Sequence, residues 1–279
     1  MSLTAGSGPF SKRPRGELNV AIEPPTGSVL LWWPVPQRIR ALVAGETLVD
    51  TLDAKLLHET GHLPIYYLPE DDVRFDLLEP SEKRTHCPHK GDASYWSIHV
   101  GDRTEPDAVW AYREPIEPAA FLRGHVALYW NRVDEWFAED DQLFGHPRDP
   151  FHRIDVHPTT RRVRVLVGGE VVADTVRAQA LFETSLPPRW YIPAEDVRMD
   201  LLEPSETKTR CAYKGSASYW HVRAGDTFED DVVWTYAEPQ HDAEAVRGML
   251  CFFNERVDIE LDGVVGERPV TQWSRAERT

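Results

Sequence analysis

The spacing of apolar and polar positions along the chain is mostly that of short β-strands. "VRVLV" (residues 163–167) alternates, with Val163 and Val165 on one side and Arg164 on the other. "RIRALVAGETLVDT" (38–51) and "RVRVLVGGEVVADT" (162–175) each read as strand, Gly turn, strand, which predicts two hairpins. "PIYYLP" and "RWYIP" predict short aromatic strands stopped by proline. "ASYWSIHVG" and "AVWAYREP", with their partners "ASYWHVRAG" and "VVWTYAEP", predict further strands. "GHVALYWNRVDEWF" and "GMLCFFNERVDIEL" predict one more strand each. Only "DAKLLHETG" and "RAQALFETS" suggest helix, of about two turns. Many short strands separated by Gly and Pro predict an all-β, sandwich-like fold with minor short helices.

These elements come in pairs. Cys87 and Cys211 are 211 − 87 = 124 residues apart, and the same offset carries Arg38 to Arg162, Glu59 to Glu183, Trp96 to Trp220 and Gly124 to Gly248. Laying residues 38–134 on 162–258 without a gap gives 48 identities in 97 positions. That is one domain duplicated, at a period too long for a solenoid. The expected boundaries are a disordered tail over 1–24, a first domain over 25–140, a second over 141–265 and a tail over 266–279. "FAEDDQLFGHPRDPF" (137–151), acidic and carrying Gly and Pro, reads as the connection.

Charge and cysteine usage narrow the partners. A formal net charge of −15 leaves no basic stripe for nucleic acid or an anionic membrane, so neither is an expected partner. A small anion held by one or two local basic groups remains compatible with it. Three cysteines with no C-x-x-C pair suggest a reducing compartment. The N-terminus lacks an apolar signal segment and no apolar run is long enough to span a bilayer, so a cytoplasmic protein is expected.

Two motifs invite a metal. "HETGH" (58–62) matches H-E-x-x-H, but the second copy reads "FETSL", and Gly61 and Pro64 end any helix there. His86, Cys87 and His89 become Arg210, Cys211 and Tyr213, so only the cysteine survives duplication. No metal and no cofactor are expected. What both copies keep is Thr85/Thr209, Cys87/Cys211, Lys90/Lys214 and Gly91/Gly215, followed by Ala-Ser-Tyr-Trp. A lysine three residues after a thiol can lower its pKa, and it can equally clamp a carboxylate or phosphate. A free cysteine also packs well as a small hydrophobe. Cys87, Lys90, Cys211 and Lys214 are therefore the catalytic candidates. "DVRFDLLEPSE" (72–82) recurs with one change, and its "EPSE" reads as a polar loop presenting Ser81 and Ser205. Trp110 and Tyr112 stand at i and i+2 on one strand face, and Tyr67, Tyr95 and Trp96 come from neighbouring strands. Such rings build cores and also line pockets.

The duplicated chain "Y-Y-L-P-x-x-D-V-R" (second copy "W-Y-I-P-x-x-D-V-R"), "T-x-C-x-x-K-G-x-A-S-Y-W" and "V-W-x-Y-x-E-P" with its closing "R-G" strand resembles the domain-of-unknown-function family 427, here in tandem. The resemblance covers most of residues 25–135 and 150–262. It implies a β-tent, two sheets meeting at an angle, related to folds that often hold a structural zinc and sometimes an aromatic ligand pocket. The family's nucleotidyltransferase-like label finds no Gly-rich phosphate loop and no paired metal-binding Asp here. His89 and Ala212 depart from the usual C-P-Y-K-G, which implies different ligand preferences in the two copies.

The expected function is binding of a small anionic or aromatic ligand in a pocket on each domain. The expected ligand residues are Tyr67, Ser81, Lys90, Trp110 and Tyr112, and Tyr191, Ser205, Lys214, Trp234 and Tyr236. The alternatives are an enzyme using Cys and Lys at the T-x-C-x-x-K-G motif, and a protein-interaction module whose tandem sites act by avidity. A homo-oligomer or protein partner is compatible with the third.

Overall fold

The computed structural model describes residues 28–274, so the expected N-terminal tail lies outside the described residues. The chain divides into two compact units between Asp149 and Pro150. The first contains β1 (Leu30–Pro34), β2 (Ile39–Val43), β3 (Glu46–Thr51), β4 (Lys55–Glu59), β5 (Ile65–Pro69), β6 (Leu78–Cys87), β7 (Gly91–Val100), β8 (Arg103–Ala111), β9 (His125–Leu128), β10 (Glu135–Ala138) and β11 (Asp141–Leu143). They form a seven-stranded sheet ordered β1-β4-β5-β9-β8-β7-β6 and a four-stranded sheet ordered β11-β10-β2-β3. β11, inside the acidic connection, is thus the edge of domain one's small sheet.

Domain two repeats this with β12 (Ile154–Pro158), β13 (Val163–Val167), β14 (Glu170–Thr175), β15 (Gln179–Glu183), β16 (Arg189–Ile192), β17 (Leu202–Cys211), β18 (Gly215–Ala224), β19 (Thr227–Pro239), β20 (Leu250–Phe252), β21 (Asp258–Leu261) and β22 (Val264–Val265). Its sheets are ordered β12-β15-β16-β20-β19-β18-β17 and β14-β13-β21-β22. Both units are all-β, and among the described residues no helix is long and apolar enough to cross a membrane.

Each domain has two apolar layers. In domain one Ile39, Ala41 and Val43 of β2 pack with Leu56, Leu68, Ile98 and Val109 of the large sheet, and this is the core between the sheets. The other face of the large sheet carries Leu57, Tyr67, Tyr95, Trp110 and Tyr112, packed under Ala119 and Leu122 of the 3-10 segment Glu117–Leu122.

Three expectations change. The two segments expected to be helical are strands β4 and β15. Leu56 faces the inter-sheet core and Leu57 the opposite layer, so both faces of the strand are buried and the period-2 signal disappears. "EPSE" is not a loop: it lies in β6, and its counterpart in β17, with register shifts between Pro80 and Arg84 and between Pro204 and Lys208. β6 and β17 are edge strands, where a proline breaks no ladder on the open side and charge is tolerated. The last expected strand of each copy is broken. In domain one β9 ends in the large sheet, a 3-10 turn at Trp130–Arg132 intervenes, and β10 joins the small sheet.

Candidate functional site

Cys-x-x-Lys-Gly closes the hairpin between β6 and β7. Lys90 N–H donates to the Cys87 carbonyl at 3.2 Å, and Ile116 N–H donates to the Lys90 carbonyl at 3.1 Å. Gly91 follows with φ +102°, and a Cβ there would press on the Glu114 carbonyl at 3.4 Å. Only glycine adopts that conformation without strain. The tight turn sends the lysine side chain inward over the outer layer of the large sheet.

There it meets a carboxylate. Lys90 Nζ donates to Glu59 Oε2 at 2.5 Å, with both side chains about a tenth exposed. Domain two repeats the pair as Lys214 and Glu183. Glu59 also accepts from Ser28 Oγ at 3.4 Å, whereas Glu183 is bonded to His152 Nε2 at 2.9 Å. His152 in turn stacks on Tyr213, with ring centroids 4.1 Å apart. Burial pushes the Glu183 carboxyl up, but the His152 hydrogen bond and the Lys214 charge together hold it below its ordinary value.

The structure brings Tyr67, Lys90, Trp110 and Tyr112 onto one face, with Lys90 Nζ 5.9 Å from the Tyr112 ring centroid. Tyr191, Lys214, Trp234 and Tyr236 repeat the arrangement, and Trp234 Nε1 donates to Tyr191 Oη at 3.1 Å. Burial raises the hydroxyls of Tyr67, Tyr112, Tyr191 and Tyr236 above their ordinary values. Ser81 and Ser205 serve the strand bulges instead. Ser81 Oγ bonds Asp107 and accepts from Lys83 N–H at 3.1 Å, and Ser205 Oγ accepts from Thr207 N–H at 3.1 Å. "DVR" is likewise framework: Asp72 accepts from Thr51 Oγ1, and Asp196 from Thr175 Oγ1, each at 2.6 Å.

The thiols separate into two kinds. Cys87 and Cys211 are half-buried and lie at strand ends, while Cys251 in β20 is fully buried and burial pushes its thiol up to about 12. Iodoacetamide at pH 8 should therefore label Cys87 and Cys211 in the folded chain and leave Cys251 unlabelled until denaturant is added. Peptide mass spectrometry reads all three. Among the described residues no group of three or more His, Cys, Asp or Glu side chains is placed to hold a metal ion.

A pocket that the sequence did not reveal lies where β9 leaves the large sheet of domain one. Its volume is about 250 Å3, and its walls are Leu63, Pro64, Ile65, Tyr66, Trp110, Leu128, Tyr129, Trp130 and Trp136, with Gly145, His146 and Pro147. Trp110 packs against Tyr129 at 4.6 Å, and Trp130 stacks on Trp136 at 4.9 Å. Of the expected ligand residues, Trp110 lines it.

In domain two the chain fills the matching place itself. Ile65 corresponds to Arg189, whose guanidinium lies 5.5 Å from the Trp234 ring and 5.6 Å from each of Phe253 and Trp273. Asn131 corresponds to Glu255, which pairs with Arg189 through two hydrogen bonds of 2.7 Å. Thr271 Oγ1 donates to Glu255 at 2.7 Å, so the C-terminal segment closes over the pair. Arginine and glutamate enter the second copy together and are absent from the first together. Both positions lie in stretches where the copies agree little, so the structure and not the sequence links them.

The profile of a family described as a domain of unknown function (DUF427) matches the chain twice, over residues 32–139 and 155–263. No curated protein matches the chain.

Proposed function

We propose that this chain, which belongs to the DUF427 family and carries its domain twice, is a small-molecule-binding protein whose ligand site is the aromatic pocket of domain one. The ligand is small and flat, with one or two rings. The observation that carries the reading is the pair of states of one position. Domain two fills it with a planar guanidinium between aromatic rings, and domain one, with Ile65 in place of Arg189, leaves about 250 Å3 there, while Asn131, in place of Glu255, lines the neighbouring cleft. Mostly apolar walls with large rings are what small-molecule pockets offer, and this volume is near the small end of their range. Tyr and Trp give contact area at little entropic cost.

Indole is a suitable probe. Equilibrium dialysis against the intact chain should find one site. Transplanting domain two's occupants as I65R/N131E should abolish binding, because an arginine and its carboxylate then fill the space. Unchanged binding by that variant overturns the reading.

A second reading rests on the duplicated Lys–Glu pair, whose lysine follows a half-buried cysteine by three residues in each copy: a proton donor and acceptor in one turn with a nucleophile. It requires Cys87 or Cys211 to alkylate at pH 6 and to slow when Lys90 or Lys214 becomes Met. Tight pairing of both lysines with glutamate favours the pocket reading over this one.

A further inference from the structure

We infer that the ligand of domain one is an aromatic acid, with its ring in the apolar pocket and its anionic group across Tyr129 against Lys83, Asn131 and Arg132. The inference rests on the pocket reading above and names the ligand's charge. A second chamber of about 300 Å3 shares Tyr129 as a wall and is lined otherwise by Lys83, Pro106, Asp107, Asn131 and Arg132. Lys83 Nζ lies 4.5 Å from the Tyr95 ring and 6.0 Å from the Tyr129 ring, and its carboxylate neighbour Asp107 is 3.7 Å away. That separation is longer than a charge-assisted hydrogen bond, and the ammonium keeps donors for a ligand. Arg132 meets Glu105 through Nη1 at 3.2 Å. Lys83 and Arg132 are each partly exposed, at 39% and 45%.

The second copy again serves as the control. Lys83 corresponds to Thr207, Pro106 to Asp230, Asp107 to Asp231, Asn131 to Glu255 and Arg132 to Arg256. The charged side chains at these positions, with Arg189 counted as the partner of Glu255, sum to 2 − 1 = +1 in domain one and 2 − 3 = −1 in domain two. Thr207 Oγ1 is spent on Asp231 at 2.7 Å, and Arg256 bridges Glu229 and Asp230 at 2.9 Å. In a chain of net charge −15, a cationic shelf stands beside the open aromatic pocket and none stands beside the filled one. An apolar slot next to a small cationic surface recognises a flat hydrophobic body with a carboxylate, since each part meets its complement.

The test compares indole with indole-3-acetate on the intact chain by equilibrium dialysis. The acid should bind at least about tenfold tighter at low ionic strength, and the advantage should shrink as salt is added because the shelf is solvent-exposed. K83M/R132M should remove the advantage and leave indole affinity unchanged. Both side chains are partly exposed, so the variant keeps its fold. Equal binding of the two probes, or an advantage that survives K83M/R132M, overturns the aromatic-acid inference and leaves the pocket reading standing. Failure of both probes to bind the natural chain overturns both.

Discussion

Lys214→Met should cost domain two about 3–5 kcal/mol at neutral pH, the usual penalty for removing one partner of a buried ion pair. Glu183 is 4% exposed in its side chain and would keep only His152 as a partner. The pH dependence fixes the sign. Burial acts to raise the Glu183 carboxyl, but the His152 bond and Lys214 charge outweigh it, so its folded pKa lies below the ordinary 4.5. A depressed pKa contributes stability above the unfolded value, and that stability is lost as pH falls through the folded value. Without Lys214 the burial effect gains weight, the carboxyl titrates higher, and protonating it relieves the variant. The two stability curves should therefore converge toward pH 4. Backbone hydrogen exchange of β15 and β18 in urea, read on the full chain, isolates domain two. A deficit below about 1 kcal/mol at pH 7 would mean that the pair is no more than a surface contact. E183Q/K214M should recover much of the loss, because no uncompensated charge then remains. Lys90→Met should act in the same direction in domain one, where the more exposed Glu59 would keep Ser28 Oγ at 3.4 Å and His62 Nδ1 at 4.0 Å.

Much of the fold can be read from the sequence. The 124-residue offset separates the domains, and the Gly-centred hairpins β2–β3 and β13–β14 form as expected, each with a register shift, between Ala41 and Leu42 and between Val165 and Leu166. Strands buried on both faces are harder to read. Lys55–Glu59 looks helical because Leu56 and Leu57 are adjacent apolar residues serving opposite layers. The lysine of Cys-x-x-Lys-Gly stands out, but its partner does not, because Glu59 is 31 residues away at the end of β4, which the sheet order separates from the β6–β7 turn by β5, β9 and β8. The aromatic face carrying Tyr67, Trp110 and Tyr112 follows from period two. The pocket beyond it depends on a chain crossing from one sheet to the other at Trp130–Arg132, which no local pattern announces. Differences between the copies do not single it out either: Ile65 against Arg189 and Asn131 against Glu255 are large chemical changes, but they fall in stretches where the copies differ at most positions, residues 125–131 at every one.

Those two positions give the remaining large effect. Arg189→Ile should destabilise domain two by about 3–5 kcal/mol, because it strands Glu255, whose side chain is fully buried, without its guanidinium. The charge-assisted bonds at 2.7 Å and the three ring contacts disappear together. R189I/E255N restores the residue pair that domain one carries and removes the orphaned carboxylate, so it should recover at least half of that loss. The size of the recovery measures how much of the single-variant penalty is charge rather than packing. The single variant should also be rescued by acid. Burial raises the Glu255 carboxyl while Arg189 and Thr271 lower it more, so in the natural chain it stays ionised below its ordinary range. Once the arginine is gone, burial drives it upward and protonation removes the buried charge. The double variant has no such group and should show no relief at acid pH. It should also gain a second indole site, because the rings of Trp234, Phe253 and Trp273 remain while their occupant is gone. Urea denaturation at pH 7 and pH 4, with dialysis stoichiometry on the same samples, reads both effects. A double variant as unstable as the single one would show that Arg189 acts through packing. A stoichiometry still at one would show that the C-terminal segment closes the place without it.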